Sequence, residues 1–201
     1  GYELGWPYSD KWNIGMNTSF FNHRLSLGVE YYNNTDCDLL TTIPVNREYG
    51  YEYKYTNGMK VRNSGVEVTL SGKPFNNPKG FSWDASFSVA YNKNELLQLP
   101  ENLNELVIGN RKLQVGHAID QFWLYQNEGV YTSDAEVPVK DGKKLSMSSI
   151  EFAKNDPKWK DQNDDNVIND DDKILKGHSL PPVTGSFINN FKLGRFDLGV
   201  N

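Results

Sequence analysis

Apolar and polar residues alternate one by one through several stretches of this chain, and a period of two residues is typical of a β-strand. The clearest stretch spans residues 81–92, whose odd positions are apolar or aromatic and whose even positions are mostly small or polar. The apolar set is Phe81, Trp83, Ala85, Phe87, Val89 and Tyr91. The pattern predicts a long strand with two chemically different faces.

A β-hairpin is predicted earlier in the chain. Residues 11–20 and 25–32 alternate in the same way, and Asn22 and His23 between them suit a tight turn. Their apolar positions are Trp12, Ile14, Met16, Phe20, Leu25, Leu27, Val29 and Tyr31. Further strands are predicted at residues 65–71, with Val66, Val68 and Leu70 facing outward, and at residues 183–191 and 195–201.

The predicted connections differ greatly in length. They are short at residues 22–23, long at 35–60, modest at 72–80 and very long at 93–182, where residues 116–125 are a further candidate strand. Transmembrane β-barrels combine short turns with long external loops and carry aromatic residues at strand ends. Such residues here are Tyr31, Tyr32, Phe81, Trp83 and Tyr91. A soluble secreted β-sandwich that binds carbohydrate has the same alternation, so periodicity alone leaves both architectures open.

Composition narrows the classes of protein. The chain is 37% hydrophobic and 13% aromatic, its mean hydropathy is −0.66, and no stretch approaches the roughly 18 apolar residues of a membrane-spanning helix. Barrel strands are short and alternate, so this hydropathy does not exclude a membrane. A net charge of −5 argues against a nucleic-acid partner, which needs a basic face. The single cysteine, Cys37, excludes an intramolecular disulfide.

No catalytic constellation is predicted. His23, His117 and His178 are far apart and lack the spacing of a metal site or a catalytic triad. The carboxylates include no pair whose hydrophobic surroundings would separate their pKa values as glycoside hydrolysis requires. We therefore expect a protein that is not an enzyme and that needs no organic cofactor.

Residues 161–172, which we call the acidic loop, have the spacing of a calcium-binding loop. Asn166 stands where a left-handed residue is needed, and Ile168 matches the apolar anchor position. Asp172 replaces the usual Glu and no flanking helices are predicted, so a solvated acidic turn is the alternative. The predicted calcium ligands are the side chains of Asp161, Asn163, Asp165, Asn169 and Asp172 and the carbonyl oxygen of Val167.

Two aromatic groups are candidates for ligand binding. Flat rings with polar tips suit stacking on sugars or peptides, although such residues also serve as interfacial anchors or as loop packing. The candidate binding residues are Tyr51, Tyr53, Tyr55, Trp123 and Tyr125.

An ordered series of short segments resembles the C-terminal part of the barrel of SusC/RagA-like TonB-dependent transporters. Each segment is unspecific alone, but their order and spacing together are specific. The segments are residues 13–16 (NIGM), 20–26 (FFNHRLS), 30–33 (EYYN), 38–40 (DLL), 63–67 (NSGVE), 91–94 (YNKN) and 161–172, then Gly177, Pro181, Pro182 and Gly185, and residues 196–198 (FDL). Asn166 departs from the glycine usual in that family's acidic loop.

The resemblance implies an all-β, antiparallel transmembrane β-barrel segment, incomplete and belonging to a large plugged barrel of about 22 strands. It implies an importer of glycans or peptides in the cell outer membrane, in contact with the lipid bilayer. Its expected partners are a SusD-like surface lipoprotein and TonB, the latter through an N-terminal region missing from this sequence. The expected organisation is barrel strands and one long extracellular loop at 1–92, an extracellular insert with the acidic loop at 93–182, and a barrel hairpin at 183–201.

Overall fold

The computed structural model describes residues 4–45, 50 and 52–201. Apart from three short 3-10 helices at Pro100–Asn102, Asp134–Glu136 and Asp170–Asp172, the regular elements of these residues are strands. In chain order the strands are β1 Tyr8–Phe20, β2 Leu25–Pro44, β3 Tyr53–Asn76, β4 Phe81–Gln98, β5 Glu105–Ile108, β6 Arg111–Gln114, β7 Phe122–Tyr125, β8 Asn127–Val130, β9 Val139–Lys140, β10 Lys143–Lys144, β11 Ser146–Met147, β12 Ile150–Glu151, β13 Pro157–Trp159, β14 Val167–Ile168, β15 Lys173–Lys176, β16 Val183–Leu193 and β17 Phe196–Val200.

Six strands form one antiparallel sheet in the order β1-β2-β3-β4-β16-β17. Four of these strands follow one another in the chain, and β16 and β17 return to the edge of β4 after the intervening insert. The predicted strands are therefore confirmed in type and order. The first compact unit of the chain contains this sheet and comprises the described residues up to Ile108, residues 113–120 and residues 180–201.

Several predicted bounds were wrong because strand pairing continues past the point where alternation ends. The predicted loop at 35–60 is mostly strand, since β2 runs to Pro44 and β3 begins at Tyr53, with register shifts near Asp36 and Leu39. β-Bulges of this kind interrupt the period of two without ending the ladder. In the same way β4 continues to Gln98, beyond the predicted end at Asn92, and β3 continues to Asn76.

Two smaller predictions also change. The first turn has four residues, Phe21 to Arg24, and three of them adopt positive φ angles, including Asn22 at 54° and His23 at 65°. Asparagine tolerates that conformation well, which explains why the segment turns there. Of the candidate strand at 116–125, only Phe122–Tyr125 forms a strand.

An apolar cluster covers one side of the sheet where β2, β3 and β4 extend furthest. Ile43, Val61, Leu96, Leu99 and Leu106 are all buried there. The main chain of Leu96 exchanges two hydrogen bonds with residues 116 and 117, each of 2.8 Å, at a point where β16 no longer pairs with β4. Residues 116 and 117 therefore cover the part of the β4 edge that β16 does not pair with.

The second compact unit comprises residues 109–112 and 121–179. It is built from short two- and three-stranded ladders, β7–β15, β8–β13, β9–β10 and β12-β11-β14, in which β11 and β14 are parallel. Its buried core is formed by Tyr131, Val137, Leu145, Phe152 and Ile168. Among the residues that the structure describes, no helix is long and apolar enough to cross a membrane.

Candidate membrane face and ligand site

The antiparallel register places most apolar side chains of the six strands on one side of the sheet. For example, Leu27 of β2 pairs with Leu70 of β3, Leu70 pairs with Phe87 of β4, and Phe87 pairs with Phe187 of β16. We call this side the apolar face. Its members are Trp12, Ile14, Met16, Phe20, Leu25, Leu27, Val29, Tyr31, Val66, Val68, Leu70, Phe81, Trp83, Phe87, Val89, Tyr91, Val183, Phe187, Phe191, Leu193, Phe196, Leu198 and Val200.

Many of these side chains are exposed despite their size. Ile14 is 68% exposed, Phe187 53% and Leu198 61%. A β-sandwich would cover such a face with a second sheet, because each apolar side chain left in water costs about 1.5–3 kcal/mol. The apolar face therefore requires a surrounding that is itself apolar.

The height of the apolar face matches a bilayer. From Phe81 to Tyr91, a rise of about 3.3 Å per residue gives roughly 33 Å along β4. A strand tilt of about 40° reduces this length to about 25 Å, the height of the apolar band of outer-membrane barrels.

Aromatic side chains mark both ends of this band. At the end near the short turns, the rings of Phe75, Phe81, Trp83 and Phe191 contact one another with centroids 5.7–6.3 Å apart. At the other end, the rings of Trp12 and Tyr31 lie 5.4 Å apart. Aromatic girdles at the two membrane interfaces have this arrangement.

Asn189 is a polar residue on the apolar face, and it is 7% exposed. The indole Nε1 of Trp83 donates a hydrogen bond of 3.1 Å to its Oδ1. This bond satisfies two polar groups that would otherwise be costly to place beside hydrocarbon.

The opposite side of the sheet, the polar face, carries Ser, Thr, Asn, Asp, Glu and Gly from the alternate positions of the same strands. Cross-strand hydrogen bonds link them, including Asn13 Nδ2 to Glu30 Oε1 at 2.9 Å and Asn94 Nδ2 to Asn63 Oδ1 at 2.9 Å. A face of small, hydrogen-bonding side chains suits contact with water.

Tyr32 belongs to the polar face, so its predicted place in an interfacial girdle was wrong. Its hydroxyl reaches across β3 and donates a 2.7 Å hydrogen bond to Asn92 Oδ1. The phenol lies over Gly65, where an added Cβ would stand 2.6 Å from the hydroxyl oxygen and would also meet the carbonyl oxygen of Tyr91. Glycine is therefore required at position 65, because a side chain there would clash with the carbonyl oxygen of Tyr91 and with the Tyr32 ring.

The acidic loop is folded largely by its own carboxylates. Asp161 accepts hydrogen bonds from the amides of Asp165 and Asn166 at 3.2 and 2.7 Å. Asp172 is fully buried and accepts from the amides of Gln162 and Asn169, both at 2.8 Å, which closes the loop. A capping box between Asn169 and Asp172 starts the 3-10 helix at Asp170. The N-x-x-D spacing of these two residues is a sequence signal for such a box.

Two conformational expectations for the acidic loop agree with the structure. Asn166 adopts φ of 67°, and Ile168 is 1% exposed within the core of the second unit. Within the described residues there is no group of three or more His, Cys, Asp or Glu side chains placed to hold a metal. The predicted ligand set also uses amide and carbonyl oxygens, so calcium binding stays a prediction.

The five predicted aromatic ligand-binding residues do not form one surface. Tyr51 lies outside the described residues, whereas Tyr53 and Tyr55 on β3 are 46% and 63% exposed. Trp123 is buried at 7% exposure, with Lys173 Nζ 4.6 Å from its ring centroid, so it packs in the second unit and has no open ring face for stacking. Tyr125 is half-buried and lies 5.6 Å from the ring of Trp159. A binding role for the tyrosines stays a prediction.

The second unit contains a cavity of about 500 Å³ that the sequence did not predict. Its apolar lining includes Tyr131, Leu145 and Trp159, and one of its edges is the first half of the acidic loop. We call it the charged cavity, because its lining includes Glu128, Glu136, Lys140, Lys158, Lys160, Asp161 and Asp164. The sequence signal for it is weak: the charged, aromatic, charged run of residues 158–160.

Two pKa values are shifted at the charged cavity, one by hydrogen bonds and one by burial. The hydrogen bond from Lys158, followed by that from Thr132, lowers the pKa of Glu136 to about 2. Burial raises the pKa of Tyr131, and the nearby ammonium group of Lys158 opposes this effect. Lys158 Nζ also lies 5.3 Å from the centroid of the Tyr131 ring.

The sheet defines the class of protein. Antiparallel strands with an apolar face of bilayer height, aromatic ends and a polar opposite face are the wall of a transmembrane β-barrel. The part of the chain that the structure describes contributes six strands to this wall.

Within that class, the chain belongs to the family described as TonB dependent receptor-like, beta-barrel, which it matches over residues 2–187. It is 28% identical to TonB-dependent receptor P39 of Formosa agariphila, in an alignment that covers 96% of this chain and 21% of that protein. It is 32% identical to TonB-dependent receptor SusC of Bacteroides thetaiotaomicron over 61% of this chain and 14% of that protein. The chain thus spans about a fifth or less of the length of these curated relatives.

Solved structures share the fold. The RagAB peptide importer in its open-open state superposes with a TM-score of 0.74 at 24% identity, covering 98% of this chain and 20% of that one. Its closed-closed state gives a TM-score of 0.72 at 24% identity, over 98% of this chain and 21% of that one. The predicted fold class and family resemblance are confirmed.

Proposed function

We propose that this chain is part of an outer-membrane, TonB-dependent importer of oligosaccharides or peptides. The observation that carries the proposal is the apolar face of bilayer height on strands whose family is that of TonB-dependent receptor barrels. In the proposed cycle, external ligand binds to the loops and plug, TonB acts on the plug, and the solute crosses the lumen while the wall stays rigid.

This chain would contribute wall and external loops rather than chemistry. The polar face would meet the hydrated lumen, since its hydroxyl and amide groups can exchange hydrogen bonds with water and with a passing solute. The proposal that this protein is not an enzyme is consistent with the names of its relatives, which are receptors. The alternative of a soluble carbohydrate-binding sandwich loses support, because the apolar face is exposed and the family is that of a barrel.

Uptake in whole cells tests the proposal. We expect a strain lacking the full-length gene to stop accumulating one fluorescently labelled class of probe, either oligosaccharide or peptide, and to recover when the gene is restored. Loss of TonB should abolish the same uptake. Unchanged accumulation of both probe classes in the deletion strain would contradict the proposed import.

The proposed surface partner is a SusD-like lipoprotein. SusC is among the relatives, and the RagAB structures are described as a peptide transporter. We expect a tagged full-length receptor, extracted in mild detergent, to co-purify with one lipoprotein in a fixed ratio. A receptor that purifies without a lipoprotein from cells expressing its own operon would contradict the partnership.

We also propose that the acidic loop binds calcium. Support comes from its ligand spacing, from the positive φ of Asn166 and from the burial of Ile168. The double variant Asp161→Ala with Asp165→Ala should abolish stoichiometric calcium binding by the full receptor in calorimetry. The matched control is Asp164→Ala with Asp171→Ala, which removes the same charge from two non-ligand positions and should retain binding. Equal binding by both variants, or none by the wild type, would refute the assignment.

A further inference from the structure

We infer that the charged cavity of the second unit binds a short peptide with free ends. This inference rests on the proposed importer function and deepens it by naming the substrate class and a site. The cavity measures about 500 Å³, within the range of sites that enclose small ligands. All of its lining residues belong to the second unit.

Most of the charges at the cavity are already matched within the protein. Lys158 pairs with Glu136, and Lys140 Nζ lies 3.1 Å from Asp164 Oδ2. The Asp161 carboxylate accepts amide hydrogen bonds from its own loop. These groups shape the cavity and leave little charge for a ligand.

One carboxylate and one ammonium group remain. In the part of the chain that the structure describes, neither Glu128 nor Lys160 has an ion pair or a side-chain hydrogen bond. Both side chains are exposed at the cavity. Two opposite charges are therefore available to one ligand.

Strand pairing fixes these two residues near each other. In the β8–β13 ladder Trp159 pairs with Asn127, and the amide of Lys160 donates a 2.9 Å hydrogen bond to the carbonyl oxygen of Gln126. Because the ladder is antiparallel, Glu128 and Lys160 lie on opposite sides of this pair, about two residue positions or roughly 7 Å apart along the strands. Trp159 is half-buried, belongs to the residue pair that separates them and lines the same cavity.

A ligand with both charges fits this arrangement better than a neutral one. A neutral oligosaccharide that covered Glu128 and Lys160 would remove water from both groups without supplying a counter-charge, which is unfavourable. A peptide with free termini offers an ammonium group to Glu128 and a carboxylate to Lys160, and its apolar side chains can contact Trp159.

Calorimetry on the full-length receptor in detergent tests this inference with defined probes. The probes are trialanine, its N-acetylated and C-amidated form, and maltotriose as a neutral sugar of similar size. We expect trialanine to bind and the other two to bind at least tenfold more weakly. Tighter binding of maltotriose, equal binding of blocked and free peptide, or no binding of trialanine would overturn the inference.

Matched variants locate the site. Glu128→Gln and Lys160→Gln should each weaken trialanine binding at least tenfold, and Glu128→Gln should not weaken the already poor binding of the blocked peptide further. Glu151→Gln and Lys154→Gln remove the same charges from exposed positions outside the cavity and should change nothing. Trialanine binding that all four variants retain would place the peptide elsewhere and would refute the site.

Failure of this inference is distinguishable from failure of the proposed import. If cells take up peptide but Glu128→Gln and Lys160→Gln bind and transport it normally, the cavity is not the site while import stands. If the purified receptor binds trialanine in a Glu128-dependent way but the deletion strain loses no uptake, the site stands and the proposed import fails.

Discussion

The sheet of the first unit and the core of the second unit place apolar side chains in opposite ways. The sheet exposes Ile14 and Phe187 by more than half, whereas the second unit buries Ile168 and Leu145 to 1% and 2%. Both regions consist of paired β-strands in one chain, so strand structure alone does not decide burial. The contrast in burial reflects two different surroundings. The second unit buries its apolar side chains in its own core, as a protein in water does, whereas lipid covers those of the sheet.

Of the changes proposed here, truncation of a core side chain in the second unit should cause the largest loss of stability. Ile168→Ala leaves a cavity in a packed core, and we expect a loss of about 2–5 kcal/mol in the stability of that unit. Limited proteolysis of the full receptor should show faster cleavage within residues 121–179 while the barrel stays resistant to detergent. The matched change Ile14→Ala on the apolar face removes the same atoms and should leave the proteolysis unchanged.

A charged side chain on the apolar face should lower the stability of the barrel in the membrane. Val89→Arg should destabilise the folded barrel by about 1–3 kcal/mol, because an arginine between the bilayer midplane and the interface must still be partly desolvated. The neighbouring change Ala90→Arg points to the polar face and should cost much less. Heat-modifiable migration of outer-membrane fractions measures the folded receptor, and equal folded yields for the two variants would mean that the faces are assigned wrongly.

A methyl group at position 65 should test the close contact on the polar face. Gly65→Ala places a Cβ against Tyr32 and the main chain of β4, and we expect a loss of about 1–3 kcal/mol from overpacking. Gly15 is also on the polar face, but its Cβ would meet nothing closer than 3.8 Å. A lower unfolding midpoint in urea for Gly65→Ala than for Gly15→Ala confirms the contact, and equal midpoints contradict it.

A change of pH should give the smallest effect and should act on the second unit only. The pKa of Glu136 is lowered from 4.5 to about 2 in the folded chain, so its contribution is present above about pH 4.5 and is lost as the pH falls toward 2. Proteolysis within residues 121–179 should accelerate across that window, and less steeply in Glu136→Gln. An identical pH profile for wild type and variant would show that the Lys158–Glu136 pair does not stabilise the unit.

The sequence predicted the sheet better than the second unit for a physical reason. Alternation identified the strands around Phe87, Leu27 and Val68, because one face of each strand meets hydrocarbon along its whole membrane-spanning length. Alternation failed beyond Asn33 and Asn92, where bulges and the cluster around Leu96 replace the two-faced surroundings. In the second unit the strands have two to four residues, too few to show a period.

The candidate sites were predicted unevenly. The conformation of the acidic loop was predicted at two positions because its spacing is local: Asn166 has a positive φ and Ile168 is buried, as that spacing implies. The charged cavity was not found, because Glu128 and Lys160 come together only through the pairing of β8 with β13. The burial of Trp123 was not predicted, since composition cannot separate an exposed ring from a buried one.

The central claim is that one face of the sheet contacts lipid and the other contacts water. Single cysteines placed in turn at residues 85–92 of β4, in a full-length receptor without other cysteines, can carry nitroxide spin labels in a bilayer. The account predicts a period of two: labels at 85, 87, 89 and 91 accessible to lipid-soluble oxygen, and labels at 86, 88, 90 and 92 protected from oxygen and nearer to water-soluble relaxants. Accessibility without this alternation, or with the opposite phase, would contradict the assignment of the faces.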